Sequence, residues 1–480
     1  MSTDISHNPY RRTKIVCTIG PSTSPEPVIR KLLQTGMDVA RINFSHGTHK
    51  EHTTYIKTLR RTARQLDLPL AIMQDLPGPK NRTGKLKRGN VELKENADFI
   101  LTTREILGDE HKVSVGLPYL PSIVKTGDTI FLDDGAIELR VTATSNTEVS
   151  CQVVAGGSLG EDKGINIPGV TWTAPTITDE DLNHLLFGLK HDVDFVALSF
   201  ISEAKDIIRV RKLLQKKKKA PAIIAKIERR EALDNLDEIL EAADGAMVAR
   251  GDLGIEIPIQ RVPIAQKEII QKCNQLGKPV IVATQMLESM VNSPRPTRAE
   301  VSDVANAIFN GADAVMLSEE TAVGGYPVEA VSMMAQIALE AEATLPYDEI
   351  LTNKGKDLQP QTDDAISYAA CHTARQLGAA AIIAFTSSGS TARRVAKYRP
   401  NVPILAITPS QAIQRQLSLS WGIRAFQISE PSKTSVLFTR GARVAKKTGL
   451  AKDGDLVVIT GGVPIGISGS TNLLKVERVK

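Results

Sequence analysis

In the segment AKIE, Lys226 and Glu228 stand two residues apart, and Asp252 follows in ARGD. On a strand, side chains i and i+2 share a face, so this cation and this carboxylate emerge together. Glu228 and Asp252, from neighbouring strand ends, can hold Mg2+ with water and substrate oxygens completing an octahedron. A buried Lys–Glu pair with no such task is expensive to keep. The loop ARGDLG sets glycines on both sides of Asp252 and can present backbone N–H groups to a carboxylate or phosphate. Arg41 in RINFSHG and Arg82 in QDLPGPKNR offer two guanidiniums suited to phosphate oxygens. Asn43, Ser45 and Asp75 form an oxygen-rich set that could hold a cation. Thr284 offers a hydroxyl, although in isolation it reads first as a β-branched strand former. His46, beside a glycine, is as readily a capping or packing residue as a nucleotide contact. Together these groups suit a metal-bound, phosphorylated acid.

The elements that must position them recur along the chain. Short apolar runs appear in KIVCTIG, VARINFS, LAIMQD, DFVALSF, AIIAKIE, GAMVARGD, PVIVATQ and DAVMLSEE, most ending in a polar or charged residue. Helical stretches separate most of them. Eight such alternations predict a (β/α)8 barrel, whose strand C-termini converge on one catalytic face. Arg41, Asn43, Ser45, Asp75, Lys226, Glu228, Asp252, Thr284 and Glu320 are then expected in one pocket.

After Asp75 the rhythm breaks at LPGPKNRTGKLKRGN, and about a hundred residues follow with short alternating stretches and turn signals. They read as an antiparallel β domain inserted on a βα loop, placed to close over the site and exclude water. Beyond the barrel a separate α/β unit begins with a helix from Asp363, with Thr362 or Asp363 as its cap. Its loop TSSGST (Thr386, Ser387, Ser388, Gly389, Ser390, Thr391) leads from a strand into a helix. Hydroxyls and a glycine at a helix N-terminus make a phosphate site. The expected divisions are 1–75 and 171–345 for the barrel, 76–170 for the inserted lid and 346–480 for a C-terminal α/β regulatory domain.

At 480 residues, with 42% apolar and 24% charged residues, the composition is that of a soluble multidomain protein. The net charge of +5 suits anionic substrates but is far from the clustered basicity of a nucleic-acid binder. The Lys216–Lys219 run reads as a solvated helix end. Four scattered cysteines show no metal spacing and fit a reducing compartment. Neither a signal peptide nor a membrane span is expected, which points to the cytoplasm.

RINFSHG, DLPGPKNRTG, KGIN, AKIE, ARGDLG, TQMLESM, PRPTRAEVSDVANA and LSEETA occur in this order. This series resembles the pyruvate kinase family, of the bacterial type, over nearly the whole chain to GSTNLLKV. The additional C-terminal domain of some bacterial relatives is expected to be absent. The resemblance implies a homotetramer that transfers the phosphoryl group of phosphoenolpyruvate to ADP, giving pyruvate and ATP. It implies that Lys226 neutralises the enolate and the moving phosphoryl group, and that Arg41 and Arg82 hold that group. Glu228 and Asp252 are implied to bind Mg2+ or Mn2+. The amides around Ala249, Arg250 and Gly251 are implied to receive the substrate carboxylate, and Thr284 to sit near C3 of the enolate. Asn43, His46 and Arg82 are the implied nucleotide contacts.

Two departures from the family pattern carry expectations. Members that need K+ hold it with residues matching Asn43, Ser45, Asp75 and the carbonyl of Leu76, and carry Thr at Leu76 and Glu at Lys80. Here Lys80 can supply the charge itself, so K+ is not expected to be required. In the C-terminal unit, TSVLFTRGARV lacks the Trp and Arg with which fructose-1,6-bisphosphate-regulated members hold a second phosphate. A sugar monophosphate or AMP is the expected effector. Glu319 adds a charge where the family has a small residue, and Glu320 keeps the family's acid. A barrel lyase acting on pyruvate enolates and a non-catalytic phosphometabolite sensor are the competing readings. The first would not need the lid, and the second should have lost Lys226, Glu228 or Asp252.

Overall fold

The computed structural model describes residues 10–79, 81–170, 176–214, 220–429, 434–464 and 470–480. Lys80 and the Lys216–Lys219 run lie outside the described residues. The eight apolar runs form eight parallel strands: Lys14–Thr18, Val39–Asn43, Ala71–Leu76, Phe195–Leu198, Ala222–Ile227, Gly245–Ala249, Val280–Ala283 and Ala314–Leu317. Each pairs with its sequence neighbours in the ring, and the first closes on the eighth with Cys17 opposite Leu317. Alternation sorts their side chains into two layers. Ile223, Ala225 and Ile227 pack outward against the helices, whereas Ile224 faces the barrel interior. The same parity puts Ala71 and Met73 inside and Ile72 and Leu76 outside. Arg41, Asp75, Lys226 and Glu228 continue the inward rows to the C-terminal mouth.

Several helices start where side chains can serve their free amides. Thr48 with Glu51, Thr178 with Asp181 and Thr297 with Glu300 each form a reciprocal capping box. The helix Thr362–Gln376 begins differently from expectation. Its cap is Gln361, without a side-chain bond, and Thr362 is already helical.

The insertion folds as a β domain with its own core around Phe99, Leu101, Val113, Leu139 and Val153. Its six-stranded sheet is antiparallel except between Asp98–Thr102 and Lys112–Ser114, and a two-stranded ribbon stands beside it. The C-terminal unit is a five-stranded sheet whose last strand, Thr471–Arg478, runs antiparallel to the rest. It is fastened to the end of the barrel opposite the mouth. Leu419 joins the barrel's inner core. Asp313 takes both Nη atoms of Arg399 at 3.1 and 3.2 Å and the Trp421 amide at 3.1 Å. Asp194 receives Arg60 and Arg415, each at 2.6 Å. Among the described residues no helix is long and apolar enough to cross a membrane.

Removing one member of a buried ion pair leaves its partner uncompensated, which costs about 3–5 kcal/mol. Asp313→Ala is therefore expected to lower the thermal midpoint and split off an early transition for the C-terminal unit. A midpoint unchanged in calorimetry would contradict this role for Asp313.

Candidate active site

At the barrel mouth, Asp75 lies between two cations. Its Oδ2 accepts from Arg41 Nε at 2.6 Å, and its Oδ1 is 3.3 Å from Lys226 Nζ. Lys226 also contacts Glu228 Oε1 at 2.8 Å and donates to Ser199 Oγ at 2.7 Å. The other Glu228 oxygen accepts from the Phe200 amide at 2.6 Å. Arg41 Nη1 donates to Thr18 Oγ1 at 2.9 Å. Asp75 and Glu228 are each 1% exposed and Lys226 is 9% exposed. Such burial is tolerated because every charge faces an opposite one.

Titration reflects the same balance. Burial alone would raise the Asp75 carboxyl, but Lys226 and Arg41 outweigh it and hold the group below the usual carboxylate range. Burial alone would lower Lys226, but Asp75, Glu228 and Asp252 outweigh it and hold the ammonium above its ordinary value. Glu256, facing Arg229 and Asp252, is pushed up to about 7, mainly by burial.

Asp252 lies on the first turn of the short helix Arg250–Glu256 that follows the sixth strand. With Glu228 it gives two carboxylates, an all-oxygen donor set that fits a hard divalent cation completed by water and substrate. Among the described residues no group of three acidic, His or Cys side chains is arranged to hold a metal ion by itself.

Thr284 follows the seventh strand with φ 68°, a strained left-handed conformation for a β-branched residue. Arg250 helps to hold it, donating to the Thr284 carbonyl at 2.6 Å and to Asp303 at 2.5 Å. The Thr284 hydroxyl accepts from the Gly251 amide at 2.9 Å, so that amide already has a partner here. The Asn43 side chain accepts from the Ser45 amide at 3.1 Å. The Leu76 carbonyl accepts from Ser199 Oγ at 2.7 Å. His46 is exposed in the turn beyond the second strand.

Glu320 is buried at the edge of the cleft between lid and barrel, its oxygens accepting from the Leu287 and Ser318 amides at 3.1 and 2.7 Å. Arg82 sits at the root of the lid and donates to the Asp162 carbonyl at 2.6 Å. Ser199 and Thr18 were passed over, yet they hold Lys226 and Arg41. Both are polar residues at or just past strand C-termini, the same signal that singled out Arg41.

Between lid and barrel lies a cleft of about 940 Å³, with Thr129, Phe131, Asp134 and Glu138 on the lid side. Across from them stand Asp252, Glu256, Glu288 and the exposed Glu319. Far away, the Thr386–Thr391 loop leads into the helix Ser390–Lys397, which has no side-chain cap bond. Thr386 Oγ1 accepts from the Gly389 amide, and Thr391 pairs with Thr471.

A closed barrel with a β lid over a mouth of paired cations and carboxylates is the architecture of a lidded phosphoryl-transfer enzyme. The family described as pyruvate kinase, barrel domain, matches residues 10–331, and pyruvate kinase, alpha/beta domain, matches residues 364–477. A pyruvate kinase of Geobacillus stearothermophilus is 49% identical over 472 residues, 98% of this chain and 80% of that protein. One from Staphylococcus aureus is 46% identical over 471 residues, with the same coverage. The solved structure of a pyruvate kinase from Cryptosporidium parvum superposes with a TM-score of 0.92 at 36% identity, covering 100% of both chains. The chain belongs to the pyruvate kinase family and is an enzyme of that kind.

Because the folded pKa of Asp75 lies below its unfolded value near 3.9, its stabilisation is present above about pH 4. It is lost as pH falls through the folded value. Asp75→Asn is expected to lose about 3–5 kcal/mol at pH 7, with the difference from wild type shrinking below about pH 4. Denaturant unfolding at pH 7 and at a pH below the folded value of Asp75 checks this, and an equal loss at both would contradict it.

Proposed function

We propose that the mouth binds phosphoenolpyruvate and the lid cleft binds ADP, with Mg2+ or Mn2+ at Glu228 and Asp252 and without a need for K+. The observation that carries this reading is the pair Arg41 and Lys226 held on one buried carboxylate beneath an acid-lined cleft. Phosphoryl transfer needs positioning and neutralisation rather than covalent help. Arg41 holds the phosphoryl group. Lys226 exchanges its longest contact, 3.3 Å to Asp75, for a phosphoryl oxygen and then faces the enolate oxygen as the P–O bond breaks. The amides around Ala249, Arg250 and Gly251 receive the substrate carboxylate, the Gly251 amide leaving the Thr284 hydroxyl as it does so, and Thr284 lies near the carbon that takes the proton to give pyruvate. Arg82, with Asn43 and His46, serves the nucleotide as the lid closes.

A bound divalent ion would supply charge neutralisation between phosphoryl and carboxylate oxygens. Carboxylates on both walls of the cleft oppose a bare polyphosphate, so ADP enters with its own cation. K+-independence is supported by Lys80 in the motif. It is also supported by the oxygens of Asn43, Asp75 and Leu76, which already accept from the chain's own donors. At the Ser387–Ser390 loop the uncapped helix amides suit one phosphate of a sugar monophosphate or AMP. A homotetramer in the cytoplasm completes the reading.

Pyruvate formation from phosphoenolpyruvate, ADP and Mg2+ is expected at full rate in K+-free buffer. Lys226→Met is expected to abolish turnover while leaving Mg2+ and substrate binding largely intact. A rate that appears only with K+ would discard the Lys80 argument, and full activity in Lys226→Met would discard the assigned role.

A further inference from the structure

The lid joins the barrel through two strands that pair with each other above the mouth. Ile165 N donates to Asn81 O at 3.0 Å, Thr83 N to Lys163 O at 2.8 Å, and Arg82 bridges Gly164. On the barrel side, Gly78 lies just past the third strand, and Thr178 caps the helix Asp179–Lys190. Both meet at Asp181, which is 0% exposed. Asp181 Oδ1 accepts from the Gly78 amide at 3.0 Å. Its Oδ2 accepts from the Thr178 amide at 2.9 Å and the Thr178 hydroxyl at 2.7 Å.

Helix capping alone does not require this arrangement. In the box at Thr48, one oxygen of exposed Glu51 takes both the amide and the hydroxyl. At Asp181 the second oxygen reaches a backbone amide 103 residues away. Gly78 is pinned from its other side as well. It has φ +67°, and a Cβ there would lie 3.1 Å from the Phe200 ring and 3.2 Å from Ser199 Cβ. Ser199 and Phe200 are the residues that hold Lys226 and Glu228. Gly78 therefore packs against the turn whose residues hydrogen-bond Lys226 and Glu228.

We propose that Asp181 is the positioning residue that roots the lid. One buried carboxylate ties the segment leaving the barrel at Gly78 to the helix start at Thr178 where the chain re-enters it, and sets the lid's posture over the mouth. The kinetic consequence rests on the reading that ADP binds beneath the lid; the rooting itself does not. Untethered, the lid samples a wider range of positions, and the site must select the productive one when ADP binds.

All four native cysteines are buried, so spin labels can be directed to new surface cysteines at Asn146 on the lid and Glu268 on the barrel. In nucleotide-free protein, Asp181→Ala is expected to broaden the label-to-label distance distribution and to raise the KM for ADP about tenfold, with the KM for phosphoenolpyruvate changed by less than about threefold. Thr178→Val, which removes only the cap hydroxyl, should leave the distribution narrow. If Asp181→Ala does not fold, Asp181→Asn, which cannot accept all three bonds, should broaden it partially. A distribution identical to wild type in whichever of these two variants folds overturns the proposal. Broadening with an unchanged KM for ADP would keep the root and overturn the nucleotide's place beneath the lid.

Discussion

The Asp75 carboxylate is the constraint on which the site depends. Two cations stand close together in the buried mouth of the barrel, where an unpaired charge is costly. Asp75 neutralises both, with Glu228 as the second anion for Lys226. Low local dielectric strengthens each of these contacts and makes each one costly to lose. The positions follow from strand parity. Arg41, Asp75 and Lys226 continue the inward rows of the second, third and fifth strands, so closing the ring brings them together. Ser199 and Thr18 then fix the orientation of the two cations.

Around this centre the other two units divide the remaining work. The β insertion adds a wall of Thr129, Phe131, Asp134 and Glu138 opposite the mouth. The C-terminal unit meets the barrel at its closed end. Leu419 finishes the inner core there, while Asp194 and Asp313 join arginines from the two units.

Much of this was legible in the sequence because barrel strands are short, apolar and end in polar residues. The inward cluster of Arg41, Asp75, Lys226 and Glu228 follows from the same rule. Glu320 lines the cleft as the rule expects, but the backbone amides of Leu287 and Ser318 take its carboxylate, a contact that strand parity does not reveal. Arg82 lies outside the rule because its segment belongs to the neck of the lid, whose pairing partner at Gly164 lies about eighty residues on. Ser199 was hidden by its small size and common type. Its importance lies in being 2.7 Å from Lys226, a distance set by the register of two strands rather than by any local pattern.

The central claim is that Arg41 and Lys226 act as one unit through Asp75. A double-mutant cycle on kcat/KM for phosphoenolpyruvate, with Arg41→Lys, Asp75→Asn and the pair together, tests it most directly. If the account is right, the losses are strongly non-additive, and the double variant is little worse than Asp75→Asn alone. If the two losses multiply, Arg41 works independently of Asp75 and the account is wrong.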